Sequence, residues 1–151
     1  MTIKIKKLNP NTPLPKKAHP SDYCYDCVAV SEEEIAPNVW KYGLGFALEL
    51  LPETSVYPID HYTFSIDARP RSSVWKTGMV LANCVGTIDE DYRGELCAIF
   101  YHVLPNMPRY KVGDKIIQIK LGEAEELRFE EVDNLSDTDR GAGGFGSTGL
   151  K

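Results

Sequence analysis

Apolar and polar residues alternate along many short stretches of the chain. In HYTFSIDA, Tyr62, Phe64 and Ile66 alternate with polar side chains, and this period of two predicts a half-buried β-strand. The segments TIKIK, KIIQIKL and LRFEEV have the same pattern. Three other runs, GFALELL, MVLANCV and ELCAIFYHVL, are more continuously apolar, which is typical of strands covered on both faces.

Prolines and glycines interrupt these stretches at short intervals, and no segment has a sustained helical period. A single helical turn is predicted at SSVWKT. These features predict an all-β sandwich or barrel of many short strands. Apolar residues become scarce near Val132, so we expect a β domain over residues 1–132 and a flexible, glycine-rich C-terminal arm over residues 133–151.

The size and charge of the chain limit the kinds of partner that it is expected to bind. It has 151 residues and a formal net charge of −5, which suits one domain and argues against a nucleic-acid or membrane-surface binder, because both need a basic face. A small anionic ligand stays possible. The sequence has neither an apolar run long enough to cross a membrane nor the apolar core of a signal peptide, so we expect a cytoplasmic protein.

Four cysteines occur, Cys24, Cys27, Cys84 and Cys97. The first two have the C-x-x-C spacing of redox and zinc sites, but the second pair does not, and no histidine has zinc-finger spacing. In a reducing cytosol we therefore expect free thiols, buried on strands. A metal or redox site is the alternative.

The segment NCVGTIDEDYRGE, residues 83–95, is predicted to form a β-hairpin, because an apolar run leads to Gly86 and a second strand begins near Gly94. Open backbone N–H and C=O groups at such a tip can recognise the edge of a flat ligand. Asp89 can accept a proton from water, and the Tyr92 ring can border a sugar. A solvated polar turn is the alternative.

Three further segments carry polar groups suited to phosphate or a cation. In ARPRSS, Arg71 offers a planar guanidinium, while Ser72 and Ser73 can open a helical turn with free N–H groups; a basic surface turn is the alternative. Gln118 interrupts the apolar KIIQI and either faces outward or binds phosphate. Asp26 lies within an apolar strand, where a carboxylate needs a partner or cation unless the strand is at an edge.

The chain ends in DRGAGGFGSTGLK, which is too rich in glycine to pack and has no lysine in the register that a phosphate-binding P-loop requires. Two interpretations remain at this point. The segment is either a disordered end or an arm that becomes ordered over a ligand.

Taken together and in this order, these segments resemble the five motifs of the homotrimeric all-β deoxyuridine triphosphatases (dUTPases). The first match is partial, because Tyr23 and Cys24 stand where the family usually has small residues. Ser73 stands where glycine is common, and the stretch over residues 52–68 is longer than usual, which we interpret as an extended surface hairpin. The resemblance implies a β-clip or jelly-roll-like barrel, assembled as a trimer whose active sites are shared among subunits.

The resemblance also implies Mg²⁺-dependent hydrolysis of dUTP to dUMP and pyrophosphate, which removes dUTP and supplies dUMP for thymidylate synthesis. Asp89 would activate the water that attacks the α-phosphate, and Asp26 would contact Mg²⁺ through water. The C-terminal arm would close over the site. The implied substrate-binding residues are Arg71, Ser72, Ser73 and Gln118 for phosphate, Asn83, Gly86, Thr87 and Ile88 for uracil, Tyr92 for deoxyribose, and Arg140, Phe145, Gly146, Ser147 and Thr148 in the arm.

Two alternatives share this fold. A dCTP deaminase, including the bifunctional deaminase-triphosphatase, would need a catalytic glutamate where Ile99 stands. A non-catalytic dUTP-binding regulator would be expected to have lost Asp89 or the arm, and both are present.

Overall fold

The computed structural model describes residues 2–51, 62–125 and 127–144. Ten β-strands and one 3-10 helix form within these residues, and none of them lies in an α-helix, which confirms the predicted all-β fold. The 3-10 helix Ser72–Lys76 lies where a helical turn is predicted. The strands are β1 Thr2–Lys7, β2 Tyr25–Val28, β3 Ser31–Ala36, β4 Val39–Gly43, β5 Phe46–Leu51, β6 Tyr62–Pro70, β7 Met79–Leu81, β8 Gly86–Asp89, β9 Cys97–His102 and β10 Lys115–Glu125.

The strands form three antiparallel sheets. The first sheet has the order β2-β10-β6-β8, the second has the order β3-β4-β9-β7, and β1 pairs with β5. In the first sheet, Gln118 lies opposite Arg69 and Lys120 lies opposite Asp67. Because side chains alternate between the two faces of a strand, this register puts the polar residues on one face and turns Ile117 and its apolar neighbours toward the core.

The core lies between the sheets and contains three packed aromatic rings. Tyr42, Phe100 and Tyr110 meet edge to face, with ring centroids 5.9, 6.5 and 5.3 Å apart. The Tyr42 hydroxyl donates a hydrogen bond to the Tyr110 carbonyl oxygen at 2.9 Å. This bond satisfies a polar group that would otherwise be costly to bury.

Of the three runs predicted to be covered on both faces, only GFALELL is nearly so: Phe46, Leu48 and Leu50 are buried on one face, and Ala47 is buried on the other. In the other two, alternate residues face outward, and Val80 and Tyr101 are 49% and 48% exposed. The prediction is wrong for these two runs because the outer face of the second sheet is open to solvent in the protomer.

The predicted strand LRFEEV is also absent from the protomer. Strand β10 ends at Glu125, and residues 127–144 form no strand. Leu127 and Phe129 are 73% and 91% exposed. An isolated segment with this pattern cannot form a strand without a neighbour to accept its backbone hydrogen bonds. The boundary between domain and arm at residue 132 stays a prediction.

All four cysteines are free thiols, as predicted. Only Cys27 is fully buried, and burial, reinforced by the charge of Asp26, raises the pKa of its thiol to about 12. Cys84 and Cys97 are exposed, so the expectation of buried thiols is wrong for them. Within residues 2–51, 62–125 and 127–144, no three His, Cys, Asp or Glu side chains are grouped to hold a metal ion.

Two further points concern the described residues. None of their helices is long and apolar enough to cross a membrane. The surface hairpin predicted over residues 52–68 falls largely outside them, since β6 begins at Tyr62. The strands on either side of it pair in different sheets.

Candidate active site

Two predicted phosphate-site residues, Arg71 and Gln118, meet the predicted metal-site residue Asp26 at one end of the first sheet. Asp26 on β2 lies opposite Gln118 on β10, and Gln118 lies opposite Arg69 on β6. Pro70 ends β6, and its carbonyl oxygen accepts a hydrogen bond from the Gln118 amide nitrogen at 3.0 Å. Strand pairing therefore brings Arg71 next to Asp26, although the two are 45 positions apart in the chain.

Asp26 and Arg71 form a two-point ion pair. The Arg71 Nε donates to Asp26 Oδ1 at 2.7 Å, and Nη2 donates to Oδ2 at 3.2 Å. The Lys115 ammonium lies 3.1 Å from the same Oδ2. Burial opposes ionisation of Asp26, but the hydrogen bonds and charges of Arg71 and Lys115 outweigh it, so the pKa of the carboxyl is below its usual value of 3.8. Although β2 is an edge strand among the described residues, Asp26 is a fully partnered anion.

This ion pair lines a cleft of about 300 Å³. Arg71 Nη1 also donates to the Ser73 hydroxyl at 3.3 Å. Tyr23, which stands where the family usually has a small residue, is 76% exposed, and the Lys120 ammonium lies 5.8 Å from its ring centroid. The Tyr23 side chain therefore leaves the ion pair between Asp26 and Arg71 intact. The residues that line the cleft are Ala18, Asp22, Tyr23, Cys24, Asp26, Arg71, Ser72 and Gln118.

The segment from Asn83 to Glu95 is not the simple hairpin that the sequence predicts. Strand β7 ends at Leu81, and the chain then crosses through exposed Asn83 to the first sheet, where Gly86–Asp89 pairs with β6. The second strand, β9, begins only at Cys97. The chain is close at this crossing: a Cβ on Gly86 would lie 3.1 Å from the Asn83 Nδ2.

A second cleft of about 400 Å³ is built around β8 and the following turn. Tyr92 is 46% exposed beside it, and its hydroxyl donates to the Glu95 carbonyl oxygen at 3.0 Å. In the described part of the chain β8 is an edge strand, so alternate N–H and C=O groups of its backbone point away from β6. The cleft is lined by Lys41, Thr87, Ile88, Asp89, Tyr92, Glu95, Leu96 and Cys97.

The sequence-based prediction of the site does not include four of these lining residues, which are Lys41, Glu95, Leu96 and Cys97. Glu95 falls at the end of the recognised motif and was a detectable candidate. Lys41 had no signal, because it reaches the cleft only through the pairing of Gly43 with Cys97 across β4 and β9.

The two clefts lie far apart within one chain. Asp26 and Asp89 are on the opposite edge strands of the first sheet, and Asp89 lies opposite Ser65, four positions along β6 from Arg69. The two carboxylates are separated by three strand spacings across the sheet and by the rise of four residues along it, which together amount to on the order of 20 Å. Within the described residues, a single chain therefore does not place the two carboxylates close enough to contact the same small chemical group.

The C-terminal arm is described only in part. Arg140 is exposed, and its Nε donates to the Gly143 carbonyl oxygen at 2.7 Å. The predicted arm residues that lie outside the described part are Phe145, Gly146, Ser147 and Thr148.

Comparisons with known proteins identify relatives of this chain. Residues 11–149 match the family model described as dUTPase. The chain is 38% identical to the deoxyuridine 5'-triphosphate nucleotidohydrolase of Gloeothece citriformis, over 99% of this chain and 98% of that relative. It is 37% identical to the enzyme of the same name from Clostridium acetobutylicum, over 100% and 99%.

Solved structures share the fold. The dUTPase of Staphylococcus bacteriophage 80alpha with dUPNHPP superposes with a TM-score of 0.76 at 22% identity, covering 99% of each chain. A mutant dUTPase from phage phi11 of S. aureus, whose structure reveals the coordination of a structural Mg(II) ion, gives a TM-score of 0.69 at 18% identity, covering 91% of this chain and 100% of that one. The chain belongs to the dUTPase family.

Proposed function

We propose that this chain hydrolyses dUTP to dUMP and pyrophosphate, which lowers dUTP and supplies dUMP for thymidylate synthesis. The observation that carries the proposal is the pair of clefts. One presents a positioned guanidinium, Arg71, beside hydroxyl and amide donors. The other presents a carboxylate, Asp89, beside an aromatic ring and a strand edge. Together they offer the groups that a nucleoside triphosphate hydrolase needs.

Asp89 is the proposed catalytic residue. It is exposed at the end of β8 and lines the second cleft, so water and substrate both reach its carboxylate. A carboxylate in that place orients a water molecule and takes its proton as the oxygen attacks the α-phosphate. Phosphoryl transfer depends mainly on such positioning and on charge stabilisation.

The base and sugar are proposed to bind along β8. Uracil would pair with backbone groups of Gly86, Thr87 and Ile88 on the free edge of the strand, with Asn83 nearby. A base with the opposite donor and acceptor order would leave those groups unpaired, which costs about 1–3 kcal/mol for each group. The Tyr92 ring would stack against deoxyribose and leave no room for a 2′-hydroxyl.

The phosphates are proposed to bind in the cleft of Arg71, with Ser72, Ser73 and Gln118. The residues also fit an ion bound through the substrate: Mg²⁺ takes most of its octahedral shell from phosphate and water, and needs few protein ligands. Both oxygens of Asp26 are already engaged by Arg71 and Lys115, so this carboxylate suits contact with the ion through water. When bound, Mg²⁺ neutralises charge on the triphosphate.

We also propose that three copies assemble and share each site. The separation of the two clefts within one protomer supports this, because the carboxylate of one copy and the guanidinium of another can then face one substrate. The exposed apolar side chains after β10 support it too, since Leu127, Phe129 and Leu135 are 73%, 91% and 87% exposed and need a partner surface.

The arm is proposed to close over the bound nucleotide, with Arg140, Ser147 and Thr148 on phosphate, Gly146 close to it and Phe145 over the base. We place the enzyme in the cytoplasm, where its four free thiols persist without oxidation.

The test is to incubate the purified protein with dUTP, dCTP, dTTP and UTP in the presence of Mg²⁺, and to measure pyrophosphate and ammonia. We expect pyrophosphate from dUTP alone, and Asp89→Asn should lower kcat by at least about a hundredfold while dUMP still binds. Glu34→Gln, a carboxylate-to-amide change in a turn away from the clefts, is the matched control. Ammonia from dCTP, or full activity of Asp89→Asn, would overturn the proposal.

A further inference from the structure

We propose that Glu95 is a positioning residue that holds Tyr92 in place and thereby sets the discrimination between deoxyribonucleotides and ribonucleotides. The inference rests on the proposed hydrolysis of dUTP. It concerns the side of the second cleft that the motif resemblance does not explain. Glu95 acts through Tyr92 and is not itself proposed to touch the reacting atoms.

The Glu95 side chain is anchored to the turn between β4 and β5. Its Oε1 accepts a hydrogen bond from the Gly45 backbone N–H at 2.8 Å. The Gly45 carbonyl oxygen in turn accepts from the Thr12 hydroxyl at 3.1 Å and from the Leu8 N–H at 2.8 Å. Thr12 is only 1% exposed, so the turn is fixed from beneath and gives the carboxylate a rigid attachment point.

The surrounding glycines leave room for this contact. A Cβ on Gly43 would lie 2.5 Å from Glu95 Oε1 and 2.5 Å from the Ser31 hydroxyl, so only glycine lets the carboxylate lie against the strand. Gly45 has a φ of +71°, which favours glycine. The main chain is fixed beside it, because Leu96 donates to Phe46 and accepts from Leu44, both at 3.0 Å.

Tyr92 depends on this anchored segment. Its hydroxyl donates to the Glu95 carbonyl oxygen at 3.0 Å, and its ring folds back over Gly94, where any side chain would collide with the hydroxyl. The residue is 46% exposed, so packing holds the ring only partly. The hydrogen bond to Glu95 therefore joins Tyr92, through the Glu95 side chain, to the buried turn at Gly45.

The consequence concerns the space beside the ring. Among the described residues, removing the carboxylate leaves the 92–95 segment tied to the β4–β5 region only through the main chain of Leu96, so the segment can shift. A displacement of the ring by about 1 Å changes whether a 2′-hydroxyl fits. We expect Glu95→Ala to lower the ratio of kcat/KM for dUTP over UTP by about tenfold, whereas Glu95→Gln keeps an acceptor and stays close to wild type.

The experiment compares Glu95→Ala and Glu95→Gln with wild type. The matched control is Glu34→Ala, because Glu34 Oε1 also accepts a backbone hydrogen bond, from Asn38 N–H at 2.9 Å, in a turn away from the clefts. The readouts are kcat/KM for dUTP and UTP, and the dissociation constants of dUMP and UMP by calorimetry. An unchanged ratio in Glu95→Ala, or an equal loss for both nucleotides, overturns the inference.

Tyr92→Phe supplies a second test, which holds even if Glu95→Ala does not fold. The variant removes only the hydroxyl that donates to Glu95, so the same loss of discrimination is expected. In the Tyr92→Phe background, Glu95→Ala should then lower discrimination little further, and fully additive effects would contradict the inference. A wild-type protein that releases no pyrophosphate from dUTP would refute the proposed function instead.

Discussion

Replacing Asp26 by Asn tests whether the ion pair with Arg71 and Lys115 stabilises the fold. The substitution keeps the size of the side chain and one acceptor oxygen but removes the charge. Two guanidinium hydrogen bonds at 2.7 and 3.2 Å and one ammonium contact at 3.1 Å lose their anionic partner. The Asp26 side chain is 11% exposed and that of Arg71 28%, so water replaces the lost anion incompletely.

The magnitude follows from this burial. Removing one partner of a fully buried ion pair costs about 3–5 kcal/mol, and an exposed pair contributes about 0–1 kcal/mol. Because one member of this ion pair is nearly buried and the other partly exposed, and because the amide oxygen is retained, we expect the free energy of unfolding to fall by about 2 kcal/mol at neutral pH. That corresponds to a fall in Tm of roughly 4–8 °C for a chain of this length.

The sign of the pH dependence provides the sharper check. The pKa of Asp26 in the folded protein is below its value of 3.8 in the unfolded chain. The ion pair therefore contributes its full stability above pH 3.8, and this contribution is lost as the pH falls through the folded pKa. The stability difference between wild type and Asp26→Asn should shrink over that acidic window.

The assay is urea unfolding, followed by tryptophan fluorescence, at a fixed protein concentration, because the proposed assembly would make apparent stability depend on concentration. It is repeated from neutral pH down to below pH 3.8. Asp22→Asn, which alters an exposed acceptor of the His19 N–H, is the control. A difference that stays constant through the acidic window would refute the electrostatic reasoning.

Two other predictions concern the packing of the protomer. Arg109→Lys should lower the free energy of unfolding in urea by about 2 kcal/mol, because the Arg109 guanidinium lies 3.5 Å from the Trp40 ring centroid and donates to Glu32 at 3.0 Å. The control Arg128→Lys should leave stability unchanged, and equal effects of the two substitutions would contradict the prediction. Cys27 should resist alkylation at neutral pH while Cys84 reacts, because burial raises the pKa of the Cys27 thiol from 9.0 to about 12 and so lowers its thiolate fraction about a thousandfold. Mass spectrometry of labelled peptides measures the difference, and rapid labelling of Cys27 in the native protein would refute the prediction.

Local features were predictable from the sequence because their causes are local. Side-chain alternation in β6 and β10 follows from the period of a strand, and the turn after Pro70 follows from the fixed backbone of proline. The family could also be inferred from contiguous strings such as GTIDEDYRG. By contrast, the alternation in LRFEEV predicted a strand that does not form in the protomer, since a strand also needs a neighbour to pair with.

Relations between distant segments were decided only by the tertiary structure. The sequence identified Asp26 and Arg71 as candidates, but only the antiparallel pairing of β2, β10 and β6 makes them partners. The anchoring of Glu95 on Gly45, 50 positions away, had no sequence signal. The same is true of Lys41 at the second cleft. The physical reason is that periodicity and motifs report the preferences of neighbouring residues, whereas register between strands is chosen by the packing of the whole core.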